Sequence, residues 1–206
     1  MWAYIFDDFP ALGGNFIEEN IRHMPHSRQE KCARYRHDSD KEACIVTYLL
    51  LLKGLREHYG VESAGEFYYS RHGKPYLRDH PHIFFSLSHC KHGAACALAD
   101  VEIGVDIQDV RPFDIRLARR VCSEGEMRKL SASKDPAKLF CRLWAEKESY
   151  AKAEGASVVP FFRKDLPKNL AAYHETENYF MALRTKGAGY EAAQIIILKN
   201  IQGCPL

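Results

Sequence analysis

Twice along this chain a long helical pattern stands among short strand-like segments, and that order limits the fold more than any single motif does. The first long helix is predicted from about Asp38 to Tyr59, with Ile45, Leu49, Leu52 and Leu55 at helical spacing. The opening alternation Trp2–Phe6 reads as a strand, and a polar helical stretch starts at Ser27. Strand-like segments follow the long helix at Phe67–Ser70, Ile83–Ser88, Ala94–Ala99 and Ile103–Ile107, with Gly73 and Pro75 marking a turn after the first. In the second half, helices are predicted at Asp114–Val121 and Ser123–Leu130. Asp135 caps the second long helix, Pro136 stands in its first turn, where a missing N–H costs little, and Gly155 is placed to end it near Glu154. Strands at Tyr179–Arg184 and Ala192–Leu198 close the chain. Ser27 with Glu30, and Ser123 with Glu126, have capping-box spacing. The expectation is an α+β fold of two similar halves, residues 1–100 and 101–206. The symmetry rests on element order, because no sequence repeat accompanies it.

Composition narrows the class. The 206 residues are 46% hydrophobic, enough for a sizeable core. The longest strongly apolar run, Cys44–Leu52, is far short of the ~20 residues a membrane-spanning helix needs. The start MWAYIFDDFP lacks a charged region followed by an apolar stretch, so no secretory signal is expected. Basic residues number 29 and acidic ones 27, a net charge of +2 that argues against a dominant nucleic-acid-binding field. Seven cysteines without a CxxC pair fit neither a disulfide framework nor a zinc ribbon, and a reducing cytoplasm with buried thiols is expected.

Five segments carry candidate chemistry. In GVDIQDV, residues 104–110, strand alternation projects Asp106 and Gln108 to one side, with Val105 and Ile107 to the core. A carboxylate there needs a cation, an amide or water, although a loop-capping aspartate would leave the same pattern. In RLWAEKESYAKAEG, residues 142–155, Trp144, Glu148 and Lys152 form one row at i, i+4 and i+8, flanked by Lys147. An exposed ion pair would read the same way, but Trp144 and Phe140 argue that this face is partly buried and lines a cleft between the halves. FFSLSHC, residues 84–90, ends in Ser88 and His89, which can donate to a phosphate or simply make a turn. No GxSxG surrounds either serine, and Cys90, His92 and Cys96 match no standard zinc spacing. Lys74 sits in HGKPYL at a turn. Arg28, Lys31 and Arg34 give a helix start one basic face, either solvated or a phosphate site.

In this order the segments resemble the 4′-phosphopantetheinyl transferases, of the larger pseudo-dimeric type that activates surfactin synthetase. The matches run from residue 27 to 155, and the pairing of GVDIQ with WAEKESYAK carries them. The resemblance implies coenzyme A as co-substrate in a cleft between two α+β halves, and magnesium, or manganese in its place, as the ion. Asp106 and Glu148 would be metal ligands, with Gln108 an uncertain third. Lys152 would contact the pyrophosphate and leaving group, with Lys147 beside it. Lys74, Ser88 and His89 would hold the nucleotide end, and Arg28 and Lys31 would face the 3′-phosphate. Two departures matter. Gln108 stands where the family often has Glu, which removes one negative charge. Ala43 and Cys44 stand where relatives carry an arginine and a small hydroxyl residue, so that contact is lost or moved.

The implied reaction is attack by a carrier-protein serine on a phosphoester phosphorus, releasing adenosine 3′,5′-bisphosphate, with Glu148 the candidate base. The expected partner is an apo acyl or peptidyl carrier protein, with no nucleic acid or membrane, and the chain is expected to be a monomer. Arg111, Arg116, Arg119 and Arg120, set among Phe113, Ile115, Leu117 and Val121, suit an acidic partner, as they suit an ordinary amphipathic core helix. Two other readings are a magnesium-dependent nucleotide phosphohydrolase and a carrier-binding module without metal, the latter favoured by Gln108.

Overall fold

The computed structural model describes residues 1–168, 170–187 and 193–201. Strand β1 (Trp2–Phe6) is followed by α1 (Phe16–Ile21), α2 (His26–Ala33) and α3 (Asp38–Tyr59), then β2 (Phe67–Tyr69), β3 (Pro75–Leu77), β4 (Phe84–Cys90), β5 (Gly93–Ala99) and β6 (Ile103–Asp109). Helices α4 (Ile115–Val121), α5 (Glu124–Ala132) and α6 (Pro136–Ala153) come next, then β7 (Ala172–Glu175), β8 (Tyr179–Thr185) and β9 (Gln194–Leu198). Among the described residues no helix is long and apolar enough to cross a membrane.

The helix ends follow local chemistry. Gly60 and Gly155 take φ of +64° after α3 and α6, a left-handed conformation that glycine adopts without penalty. The Ser123–Glu126 capping box forms in both directions. The one expected at Ser27 does not. Helix α2 begins a residue earlier, after Pro25, so Ser27 lies inside the first turn and its hydroxyl donates to Glu66 instead, at 3.0 Å. The terminal strand begins at Gln194; residue 192 of the expected strand lies outside the described residues.

Three sheets form. The first has the order β4-β5-β1-β9, the second β6-β8-β7, and β2 and β3 make a hairpin. The chain's last strand therefore returns to the first sheet, parallel to β1. The two larger sheets lie face to face. Ala3, Ile5, Ala95, Ala97 and Ala99 of one meet Val105, Ile107, Met181 and Leu183 of the other. The small alanines let the layers approach closely. Helix α3 covers the outer face of the first sheet with Ile45, Leu49 and Leu52 against Tyr4, Phe6 and Leu98. Helix α6 covers the outer face of the second, with Cys141 and Ala145 against Phe180 and Ala182. A Cβ on Gly104 would lie 2.1 Å from the Ser149 carbonyl oxygen, so α6 rests on the bare backbone of β6.

Strand β6 is an edge of its sheet, and an edge leaves every other N–H and C=O unpaired. Strand β4, an edge of the first sheet, crosses it there. Its serines face inward and accept what β6 offers: Val105 N–H donates to Ser86 Oγ at 3.0 Å and Ile107 N–H to Ser88 Oγ at 3.3 Å. The two sheets are stitched by hydroxyls rather than by a backbone ladder, and the candidate site lies on this seam.

Candidate active site

Asp106 is buried on β6, and its Oδ1 accepts two bonds of 2.8 Å, one from Ser88 Oγ and one from Lys152 Nζ. Lys152 also donates to the Val105 carbonyl at 3.0 Å and the Leu87 carbonyl at 3.5 Å. This lysine, from the end of α6, therefore ties both sides of the seam together. Asp106 Oδ2 is buried with no hydrogen-bond partner among the described residues. A buried carboxylate oxygen without a donor is costly unless a cation or water takes that place.

Glu148 lies one turn before Lys152 on α6. Its carboxyl is pushed above the ordinary range by burial and then by the charge of Asp106, with Lys152 opposing. Two carboxylates that repel each other in a partly buried seam make a site whose repulsion a cation would relieve. Gln108, two residues beyond Asp106 on the same strand face, lines a neighbouring cleft of about 290 Å³ with Phe140, Cys141 and Trp144. Trp144 packs against Phe140 and Phe162, at centroid distances of 6.2 and 6.1 Å, and so serves the local core as well as the cleft wall. Among the described residues no three His, Cys, Asp or Glu side chains are grouped to hold a metal. The candidate donors, Asp106, Glu148 and Gln108, would offer two carboxylates and an amide. Magnesium fits such a set, because it is commonly held by one or two carboxylates with water and substrate phosphate completing the shell.

On the other side of Lys152 lies a cleft of about 180 Å³ lined by Arg28, Lys31, Tyr35, Cys44, Thr47, Leu87, Ser88 and His89. Here the structure brings together residues from α2, α3, β4 and α6 that stand far apart in sequence. Arg28 is 3% exposed; its Nη2 donates to the Cys44 carbonyl at 3.1 Å and to Thr47 Oγ1 at 3.3 Å, while Nε has no partner among the described residues. Burial, then Arg28, holds the Lys31 ammonium below its usual range. Burial, then Lys31 and Lys152, pushes His89 down to about 4, so its ring is neutral at physiological pH. This gathering of cations and donors, with Arg28 buried at its base, suits a phosphate-bearing anion.

Two expected contacts fall elsewhere. Lys147 is 1% exposed, pairs with Glu126 at 3.0 Å and donates to the Lys164 carbonyl at 2.6 Å. One residue along a helix is a rotation of about 100°, which turns Lys147 away from the row of Glu148 and Lys152. It lines a larger cavity, of about 780 Å³, whose buried cations are already bound to carboxylates and carbonyls. Lys74 is engaged by Glu102 and by the Ile103 carbonyl at 3.0 Å, so its charge is committed outside the basic cleft. Conversely, Thr47 and Tyr35 line the cleft without having been singled out. Thr47 stands one turn beyond Ala43, and its hydroxyl accepts from Arg28 and donates to the Cys44 carbonyl.

Residues 102–184 match the family described as the 4′-phosphopantetheinyl transferase superfamily. "4′-phosphopantetheinyl transferase Sfp" of Bacillus subtilis (strain 168) is 31% identical over 144 residues, 67% of this chain and 64% of that relative. "4′-phosphopantetheinyl transferase ffp" of Bacillus subtilis is 34% identical over 131 residues, 62% of this chain and 58% of the relative. The "L-aminoadipate-semialdehyde dehydrogenase-phosphopantetheinyl transferase" of Eremothecium gossypii is 30% identical over 154 residues, 69% of this chain and 55% of that protein. The matched segments thus span less than two thirds of these relatives' own length. The matched residues 102–184 supply Asp106, Gln108, Glu148 and Lys152, and the relatives similar to this chain carry the name 4′-phosphopantetheinyl transferase.

Proposed function

We propose that this chain transfers the 4′-phosphopantetheine group of coenzyme A to a serine of an apo acyl or peptidyl carrier protein, releasing adenosine 3′,5′-bisphosphate, in a magnesium-dependent reaction. The observation that carries this reading is the bare, buried Asp106 Oδ2 beside the raised carboxyl of Glu148, with Lys152 already held against Asp106.

Asp106 and Glu148 would hold the magnesium ion, with Gln108 contributing its amide oxygen directly or through water. When bound, the ion supplies neutralisation of the charge that grows on the phosphate oxygens. The side chains share the remaining work. The cleft of Arg28, Lys31, Ser88 and His89 takes the phosphate-rich nucleotide end. Lys152 stands between that cleft and Asp106, where it steadies charge on the departing oxygen. The cleft lined by Gln108 and Trp144, with Trp144 one turn before Glu148 on α6, suits the incoming serine. Glu148 then accepts the serine proton, a role its raised basicity favours.

The same reading makes residues 1–100 and 101–206 a pseudo-dimer. It is supported by a shared strand order: β4-β5-β1 in one sheet and β7-β8-β6 in the other, all antiparallel, each backed by one long helix. We also take the chain to act as a cytoplasmic monomer, with helix α4 and its arginines facing an acidic carrier.

Intact mass of an apo carrier protein after incubation with coenzyme A and magnesium tests the reaction. A gain of one phosphopantetheinyl group supports it. Free phosphopantetheine with an unmodified carrier would make the chain a hydrolase, and tight carrier binding with neither product would make it a binding module.

A further inference from the structure

Two serines hold equivalent places on the seam between the sheets, and only one of them bonds to the candidate site. Alternation along β4 puts Ser86 and Ser88 on one face, paired with Ala97 and Ala95 of β5. The hydroxyl of each accepts one backbone N–H from β6, Ser86 from Val105 and Ser88 from Ile107. Both serines are buried. Asp106 lies between those two N–H groups, and of the two serines it is Ser88 that bonds its side chain, donating from Oγ to Oδ1 at 2.8 Å.

A hydroxyl has one proton and two lone pairs, and a carboxylate only accepts. The direction of the Ser88–Asp106 bond is therefore fixed: the serine gives its proton to the aspartate. With the Ile107 N–H on one lone pair, Ser88 has a single lone pair left and no proton for a phosphate oxygen in the cleft it helps to line. The hydrogen bonds thus commit Ser88 to the aspartate, and Arg28, Lys31 and His89 are the donors that remain for a phosphate there. Lys152 fills the second place on Oδ1 from α6, while Ser88 approaches from β4. The carboxylate is gripped from both sides of the seam and cannot turn without losing both bonds. Oδ2 is consequently the oxygen left bare.

We infer that Ser88 is a positioning residue for the cation: it fixes one oxygen of Asp106 so that the other, Oδ2, is presented to the ion. The inference rests on the metal-site reading of Asp106 given above. A partner that orients a metal ligand from behind typically sets metal affinity by about 10- to 100-fold. Because Lys152 keeps its own bond to Oδ1, the lower end of that range is expected. Ser86 is the built-in control, since it stitches the same two strands without a bond to Asp106.

The test titrates Mn2+ into the full-length protein saturated with coenzyme A and reads the free ion by electron paramagnetic resonance. Ser88→Ala should weaken Mn2+ binding about tenfold. Its affinity for coenzyme A without divalent ion, read by calorimetry in EDTA, should stay at the wild-type value. Ser86→Ala should leave both quantities unchanged. Loss of coenzyme A affinity with unchanged Mn2+ binding in Ser88→Ala would overturn the proposal and make Ser88 a phosphate contact. Equal losses of Mn2+ binding in the two serine variants would overturn it in favour of a seam that is only structural. A crystal structure of the wild type with Mn2+ and coenzyme A needs no variant to fold. Ser88 Oγ should stay on Asp106 Oδ1 with the ion on Oδ2, and a Ser88 hydroxyl bonded to a phosphate oxygen instead would refute the assignment. Asp106→Ala separates this inference from the reading beneath it. If that variant binds Mn2+ as tightly as the wild type, both fall; if it loses the ion and Ser88→Ala does not, the positioning role alone fails.

Discussion

Helix α3 and helix α6 each lie across the outer face of a three- or four-stranded sheet, yet they bury opposite chemistries. The stretch from Ala43 to Leu52 presents Ile45, Leu49, Leu50 and Leu51 to the first sheet, and all four are at most 2% exposed. Helix α6 buries Lys147 and Ser149 and reaches through Lys152 to the Asp106 carboxylate. The same architecture thus serves as a hydrocarbon clamp in one half and as an ionic assembly in the other. The physical difference lies in cost. Apolar burial stabilises each contact separately, whereas buried charges are tolerable only when every one has its partner. The second half therefore depends on specific pairs, and Asp106 Oδ2 is left without a hydrogen-bond partner among the described residues, a place the proposed cation would take.

Changes on α6 should break chemistry and changes on α3 should break stability. The largest effect is expected from Glu148→Gln, which removes the candidate base and one carboxylate ligand. Transfer to an apo carrier should fall by about a hundredfold to ten-thousandfold while coenzyme A still binds, as mass spectrometry and calorimetry would read it. A wild-type rate in that variant would erase the contrast between the two helices. Asp106→Ala should shift the magnesium midpoint sharply upward, and an unmoved titration would remove Asp106 from the ligand set.

Leu50→Ala, on the apolar side, should cost about 2–5 kcal/mol in denaturant unfolding and leave the magnesium midpoint where it was. If it moved that midpoint instead, the two layers would not be separable in function. Gly104→Ala forces a Cβ against the α6 backbone, with no side chain able to yield. Its cost should reach or pass the ~1–3 kcal/mol of ordinary overpacking, and it should disturb the Lys152 contacts as well.

The smallest effect concerns His89. Its folded value of about 4 lies below that of an unfolded histidine, so between those two pH values the unfolded chain binds more protons. Stability should therefore fall as pH drops from about 6.5 toward 4, and the groups that face His89 — Lys31, Lys152, Arg28 and Asp40 — set that slope. His89→Gln should flatten the fall of stability with pH over this window in urea titrations, so the wild-type-minus-variant difference drops as pH falls. An unchanged slope would mean that the ring is not buried as a neutral base.

Much of this was legible beforehand because it is local. The bounds Asp38–Tyr59 of α3, the Ser123 capping box, the proline entry and glycine exit of α6, and the shared face of Asp106 and Gln108 follow from periodicity and capping. The helix at Phe16–Ile21 and the short strands Pro75–Leu77 and Ala172–Glu175 were not, since stretches of three to six residues carry too little periodicity to stand out. The failed cap at Ser27 shows the limit of a spacing rule: a distant carboxylate, Glu66, offered the hydroxyl another partner.

By itself the sequence determined which side chains share a strand face or a helix row, and so which residues are available for chemistry. Only the tertiary structure decided which of them meet. It crossed β4 over β6, so that Ser88 and Lys152 converge on one oxygen of Asp106, and it sent Lys147 and Lys74 to other carboxylates. The reason is geometric. Helical and strand periods fix direction along one element, while the pairing of charges between elements depends on how sheets stack, and no single segment of the chain encodes that.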